Sequence, residues 1–135
     1  MALHFFQSSW ALRIALLLAF LLIGLELSGI LWLNQGHLVY ALDDPYIHLA
    51  LAENIWRGHY GVNLHEFSSA SSSIIWPFLI APLSIFESSA YAVLALNSAL
   101  MLLSIYVVNN IITEINTQFS AQAFSEKARF WLLFA

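Results

Sequence analysis

A chain of 135 residues that is 61% hydrophobic and 9% charged, with a mean hydropathy of +0.78, has too few polar side chains for an ordinary soluble domain and reads as an all-α, polytopic membrane protein. Its net charge of −4, with only four Lys and Arg residues, argues against a nucleic-acid partner, because phosphate binding needs clustered cations. With no cysteine, it has no disulfide, no thiolate metal site and no cysteine nucleophile.

Residues 1–11 form a short amphipathic lead in which His4, Phe5, Phe6 and Trp10 suit a membrane interface. From Ile14 to Leu33 the chain offers about 20 nearly uninterrupted apolar residues, enough to cross a hydrocarbon core of roughly 30 Å, so the first transmembrane helix is placed over about 12–33. The apolar region is too long for a signal peptide, and Leu33, Asn34 and Gln35 make a poor cleavage site. Arg13 precedes this helix, whereas the following loop over 34–73 carries Asp43, Asp44, Glu53 and Glu66 against Arg57 alone. The basic-residue rule then puts the N-terminus in the cytoplasm and the loop outside. Glu26, in the outer half of the helix, reads as a neutral acid bonded to a neighbouring helix or as a group beneath a site; the first reading is preferred.

The external loop opens on ALDDPYIHLALAENIWRG, from Ala41 to Gly58, which predicts a helix over 45–57. Asp44 is suited to cap it, Pro45 fits its first position, and Gly58 fits a left-handed stop. On a 3.6-residue wheel Glu53, Asn54 and Arg57 share one side, while Ile47, Leu49, Leu51, Ala52, Ile55 and Trp56 cover most of the other, as in an interfacial helix half in lipid or packed on protein. Asp44 and His48 lie one turn apart and leave the helix end together. In the next stretch, HYGVNLHEFSSASSS, Gly61 and Asn63 form turns and the serines from Ser68 to Ser73 end in an N-cap. His59, His65 and Glu66 match no metal-binding spacing and read as solvated loop residues.

A second span is expected over about 71–86, kinked at Pro82, with a re-entrant or broken helix as the alternative. Glu87, Ser88 and Ser89 make a tight connection to a third span over about 91–112, in which Asn97 is read as hydrogen-bonding between helices. The polar stretch from Thr113 to Arg129 leads to the start of a fourth span at about 130–135. Lys127 and Arg129 suggest a cytoplasmic location for that stretch, but counting three spans puts it outside, and the count is preferred. Residues 1–135 are therefore expected to be a single N-terminal transmembrane module of a longer polytopic protein.

Two adjacent carboxylates at a membrane surface serve three chemistries: a general base toward a hydroxyl, a divalent-metal site, or an anchor for a substrate hydroxyl. The structural alternative is a helix cap. The run DDPYIHLALAENIWRGHYGVN, followed by HEFSSASSSIIWPFLIAPLSIF, resembles the first external loop and second helix of the GT-C class of integral membrane glycosyltransferases, in particular bacterial members related to the protein mannosyltransferases and aminoarabinose transferases. The resemblance covers roughly residues 12–112 and rests chiefly on the acid pair. It implies sugar transfer, on the external face of the bacterial inner membrane, from a polyprenyl-phosphate-linked donor to a lipid, glycan or protein acceptor. By position, Asp43 matches the family's candidate base, and Asp44 the acid that assists it or, in metal-dependent relatives, helps hold a divalent ion. Asp43 is preferred as base because Asp44 is the better N-cap. Tyr46 and His48 are expected to shape the pocket, with Glu66 at a loop position where relatives often carry an acid. The fragment alone is expected to be inactive. The rival classes are a noncatalytic membrane subunit or scaffold, and a transporter with Glu26 as its coupling acid.

Overall fold

The computed structural model describes residues 10–68, 71–118 and 125–133. Every regular element among them is helical: α1 (Trp10–Leu33), α2 (Asp44–Trp56), α3 (Ile75–Ile80) running into the 3-10 helix η1 (Ala81–Ile85), α4 (Ser89–Gln118) and α5 (Glu126–Leu132). Of these, α1 and α4 are long and apolar enough to cross a membrane. The expected amphipathic lead lies mostly outside the described residues.

At about 1.5 Å per residue, α1 measures about 36 Å, slightly more than a hydrocarbon core of about 30 Å. Trp10 and Trp32, both exposed, stand about 33 Å apart along its axis, the spacing of the two aromatic belts of a bilayer. Past Leu33 the chain turns at once: the Asn34 side-chain amide donates to the Ile30 carbonyl (2.8 Å) and the Gly36 N–H to the Leu31 carbonyl (2.7 Å), satisfying carbonyls that the helix end leaves open. By the same rise α4 is about 45 Å long, about ten residues more than a crossing needs.

The second expected span is not confirmed. Six residues of α3 and five of η1 reach only about 19 Å, and the apolar run is broken into these two pieces. Pro77 falls in the first turn, where no N–H is required, but Pro82 lacks the N–H that would continue the ladder and its ring crowds the Phe78 carbonyl. The backbone tightens to 3-10 geometry and ends at Phe86, whose N–H donates to the Leu83 carbonyl (3.3 Å). At its start, Ser73 Oγ accepts from the Trp76 N–H (3.3 Å), while the N-cap position itself falls one residue later than the serine run predicts, on Ile74. The seven residues of α5 include Phe130, where a fourth span is expected to start, but they show no span, and 134–135 lie outside the described residues.

The chain falls into two compact units, residues 1–28 with 97–135 and residues 29–96, with α1 and α4 each contributing to both. In the first, Ala15, Ile112 and Leu133 form a small core, and Glu126 accepts from the Ala11 N–H at 3.4 Å. Asn109 is the buried amide here; Asn97 is exposed, against the expectation for it. Glu26 is also exposed and has no hydrogen-bond partner among the described residues.

In the second unit α2 lies on α3 and η1. Ala52, Ile80, Ala81 and Val93 are buried together, with Leu49, Ile55, Trp76, Leu83 and Leu96 around them. Leu51 is fully buried on the same helix. Of the two settings expected for α2, packing against protein is the one found for this side.

Candidate active site

The acid pair sits where α1 has ended and α2 begins. Asp43 occupies the N-cap position in helical geometry (φ −78°, ψ −27°), its carbonyl accepts from the Tyr46 and Ile47 N–H groups, and its side chain makes no capping bond. Asp44 is the first residue of the helix with Pro45 next, so the expectation that Asp44 caps the helix is corrected. The reason is local: the Asp43 backbone has already turned helical, and Pro45 offers no N–H to a carboxylate. Both carboxylates are exposed and neither is engaged by a hydrogen bond or ion pair among the described residues. Arg57, the only Lys or Arg over 34–88, is 2.6 Å from Glu53 on the same helix and takes no part. The preference for Asp43 over Asp44 thus loses its structural ground, since capping removes neither from use.

The first turns of α2 also carry two side-chain contacts, one through Tyr46 and one through His48. The Tyr40 N–H donates to the Tyr46 hydroxyl (2.9 Å), and the two rings meet edge to face at 5.7 Å. The Tyr40 hydroxyl in turn donates to the Ala90 carbonyl (2.8 Å), fixing the approach to α2 against the start of α4. Burial pushes the Tyr40 phenol above its ordinary value, and Tyr46 beside it adds to the shift. His48, one turn past Asp44 and half-buried, has its Nδ1 3.0 Å from Ser71 Oγ. That hydroxyl also gives its single proton to the Ser73 carbonyl (2.5 Å) and accepts the Ser73 N–H (3.1 Å). With that proton directed to Ser73, Ser71 is placed to accept from His48 Nδ1, and in the neutral ring this tautomer makes Nε2 an acceptor.

Tyr46 and His48 lie in the first turns of the helix that Asp44 opens. The Glu66 side chain is exposed, and among the described residues no hydrogen bond links it to Asp43, Asp44, Tyr46 or His48. Its backbone has a structural part instead. His59 Nε2 lies 2.9 Å from the Asn63 carbonyl and 3.2 Å from that of Glu66, closing the loop back on itself. Asn54, expected on the solvent side of α2, is buried because its amide donates to the Gly61 (2.7 Å) and Val62 (2.9 Å) carbonyls. Within this loop a Cβ at Gly61 would collide with the Glu66 carbonyl oxygen, so only glycine fits.

The stop of α2 is as expected. Gly58 takes φ +83°, its N–H bonds to the Ile55 carbonyl (2.9 Å) and the His59 N–H to that of Asn54 (2.8 Å), the paired bonds of a Schellman motif. Tyr40 and Ser71 are absent from the expected set. Ser71 lies in a serine run legible only as a helix entry, and Tyr40 precedes the acids with nothing in its spacing to tie it to α4. The described residues gather no group of three His, Asp or Glu side chains. Compared with family models, curated proteins and solved structures, the chain finds no match in any of the three.

Proposed function

We propose that this chain is the N-terminal part of a membrane glycosyltransferase, with α1 and α4 crossing the bacterial inner membrane, its N-terminus in the cytoplasm and residues 34–88 on the external face. One observation carries the reading: two exposed carboxylates, unpaired with any cation, stand at the start of a packed helix ten residues beyond the end of an apolar helix of membrane-crossing length. Acids that served only the fold would be expected to cap or to pair.

In the reaction, the acceptor hydroxyl oxygen bonds to the anomeric carbon of the sugar as the bond from that carbon to the phosphate oxygen breaks. The electron pair leaves with the polyprenyl phosphate, and Asp43, the base by the positional resemblance alone, takes the hydroxyl proton with Asp44 beside it. His48 Nε2, turned acceptor by Ser71, holds a sugar or acceptor hydroxyl, and Tyr46 lines the same opening. No free Lys or Arg remains over 34–88 to meet the phosphate, so that contact comes from outside this loop.

Counting two spans instead of three also removes the conflict over the basic residues. Lys127 and Arg129 now share the cytoplasmic side with Arg13, and the acid-rich loop lies opposite.

The test is transfer of labelled sugar from a panel of polyprenyl-phosphate donors, in membranes carrying the longest natural form of the protein. Asp43→Asn, inserted and expressed as wild type, is expected to lose about 10²-fold or more in rate, the scale of general-base catalysis. Unchanged transfer would move the chemistry elsewhere. No transfer by the wild type would leave the noncatalytic membrane subunit as the better account.

A further inference from the structure

The segment from Ser68 to Phe86 contains no charged residue, and its helical part is apolar on both sides. One side is accounted for: Pro77, Ile80 and Ala81 are buried, with Ala52 of α2 and Val93 of α4 in the same core as Ile80 and Ala81. The other side presents Ile75, Phe78, Leu79, Ile85 and Phe86, each between 52% and 69% exposed. Ile75, Phe78 and Leu79 follow the three- and four-residue spacing of one helical face, and Ile85 and Phe86 follow at the end of η1. A contiguous apolar face of this kind is rarely left in water.

Its place along the chain says what covers it. The Ser89 N–H donates to the Phe86 carbonyl (3.0 Å), so η1 ends within one turn of the start of α4. Tyr91, in the first turn of α4, has its hydroxyl 3.5 Å from the Gly36 carbonyl, four residues past Trp32 at the outer end of α1. The second turn of α4 supplies Val93 and Leu96 to the packing with η1. Thus α3 and η1 lie alongside the first two turns of α4, which the Tyr91–Gly36 contact sets level with the end of α1, and at about 19 Å they are too short to cross.

We propose that α3 and η1 lie in the external lipid–water interface, with Ile75, Leu79, Ile85 and Phe86 against acyl chains and α2 stacked on their opposite side. This rests on the reading of α1 and α4 as spans but not on the transferase chemistry. Packed helices are about 8–10 Å apart, so α2 and the acid pair stand about one helix layer outside the lipid. A donor whose phosphate sits among the headgroups would then raise its sugar to the height of Asp43, and a substrate lying wholly in the hydrocarbon would not reach it.

The chain lacks cysteine, so single-cysteine variants report one position each. Ile75→Cys and Leu79→Cys sample the proposed lipid face without touching the stack of Phe78 on Tyr60 (5.8 Å). Glu53→Cys samples α2, and Leu103→Cys the middle of α4. Each is nitroxide-labelled in the full chain, reconstituted in phosphatidylethanolamine–phosphatidylglycerol vesicles, and its spectrum is read with oxygen and with a water-soluble nickel chelate. The expected result is oxygen broadening and loss of nickel broadening at 75, 79 and 103, and the reverse at 53. Nickel broadening at 75 and 79, with 103 still shielded, overturns the interfacial placement while leaving the spans standing. Shielding of 75 and 79 from both reagents means that protein covers the face and overturns it equally. Nickel broadening at 103 refutes the spans themselves, and the placement with them.

Discussion

Asn54 shows how one side chain organises the ground around a site without entering it. It follows Glu53 on a helix whose wheel assigns it to water, yet it is buried because two loop carbonyls, those of Gly61 and Val62, have no other donor within the loop. Asn54→Ala is expected to cost about 1–3 kcal/mol, the penalty for leaving buried acceptors unmet, measured by chemical unfolding in detergent. Gly61→Ala is expected to cost a similar amount, about 1–3 kcal/mol, because the added methyl must displace the Glu66 backbone. Tyr40 acts at the same scale through its proton. With its phenol raised in the fold above the ordinary value of 10.0, the folded state holds the proton that the unfolded chain releases first. Stability is therefore expected to be level below about pH 10 and to fall as the pH rises through the raised value. Thermal unfolding across that window should show the fall in the wild type and a flatter response in Tyr40→Phe, which has no proton to lose.

At the scale of elements, the helix carrying the acids was legible almost to its ends, because its signals are local. Pro45 near the start and Gly58 past the end each act on their own backbone, and α2 differs from the expected range by one residue at either end. The capping role of Asp44 was misjudged for the opposite reason, since it depends on the backbone angle of the residue before it. The apolar run from Ile74 to Phe86 reads as a span by hydropathy, which cannot tell lipid on all sides from protein on one. Its two prolines fall one in the α-helical turn and one in the 3-10 turn into which the run is broken. The links from Tyr40 to Ala90 and from His48 to Ser71 join residues 50 and 23 positions apart, and no periodicity encodes such pairings. The α2 helix depends on α3 and η1 for its place, and Leu51→Ala is expected to destabilise the loop by about 2–5 kcal/mol. Faster hydrogen exchange across 44–56, with α1 unchanged, would confirm that the loss is confined to this layer.

For the whole molecule, the proposed two-span topology makes a prediction that a third crossing would reverse. Glu66→Cys is expected to react with an impermeant maleimide applied to intact spheroplasts, and Lys127→Cys only after permeabilisation. Labelling of Lys127→Cys from outside would restore the third crossing and return the basic residues to the wrong side. The same topology gives the tyrosine contacts between the end of α1 and the start of α4 a wider significance. Tyr40 to Ala90 and Tyr91 to Gly36 close loops with sequence separations of 50 and 55 residues. In a free chain, bringing together ends so far apart costs about 3–4 kcal/mol of entropy beyond the constant for any closure. Two spans inserted side by side would meet much of that cost before the loop begins to fold. For a protein without cysteine, the bilayer would then do the work of a disulfide staple.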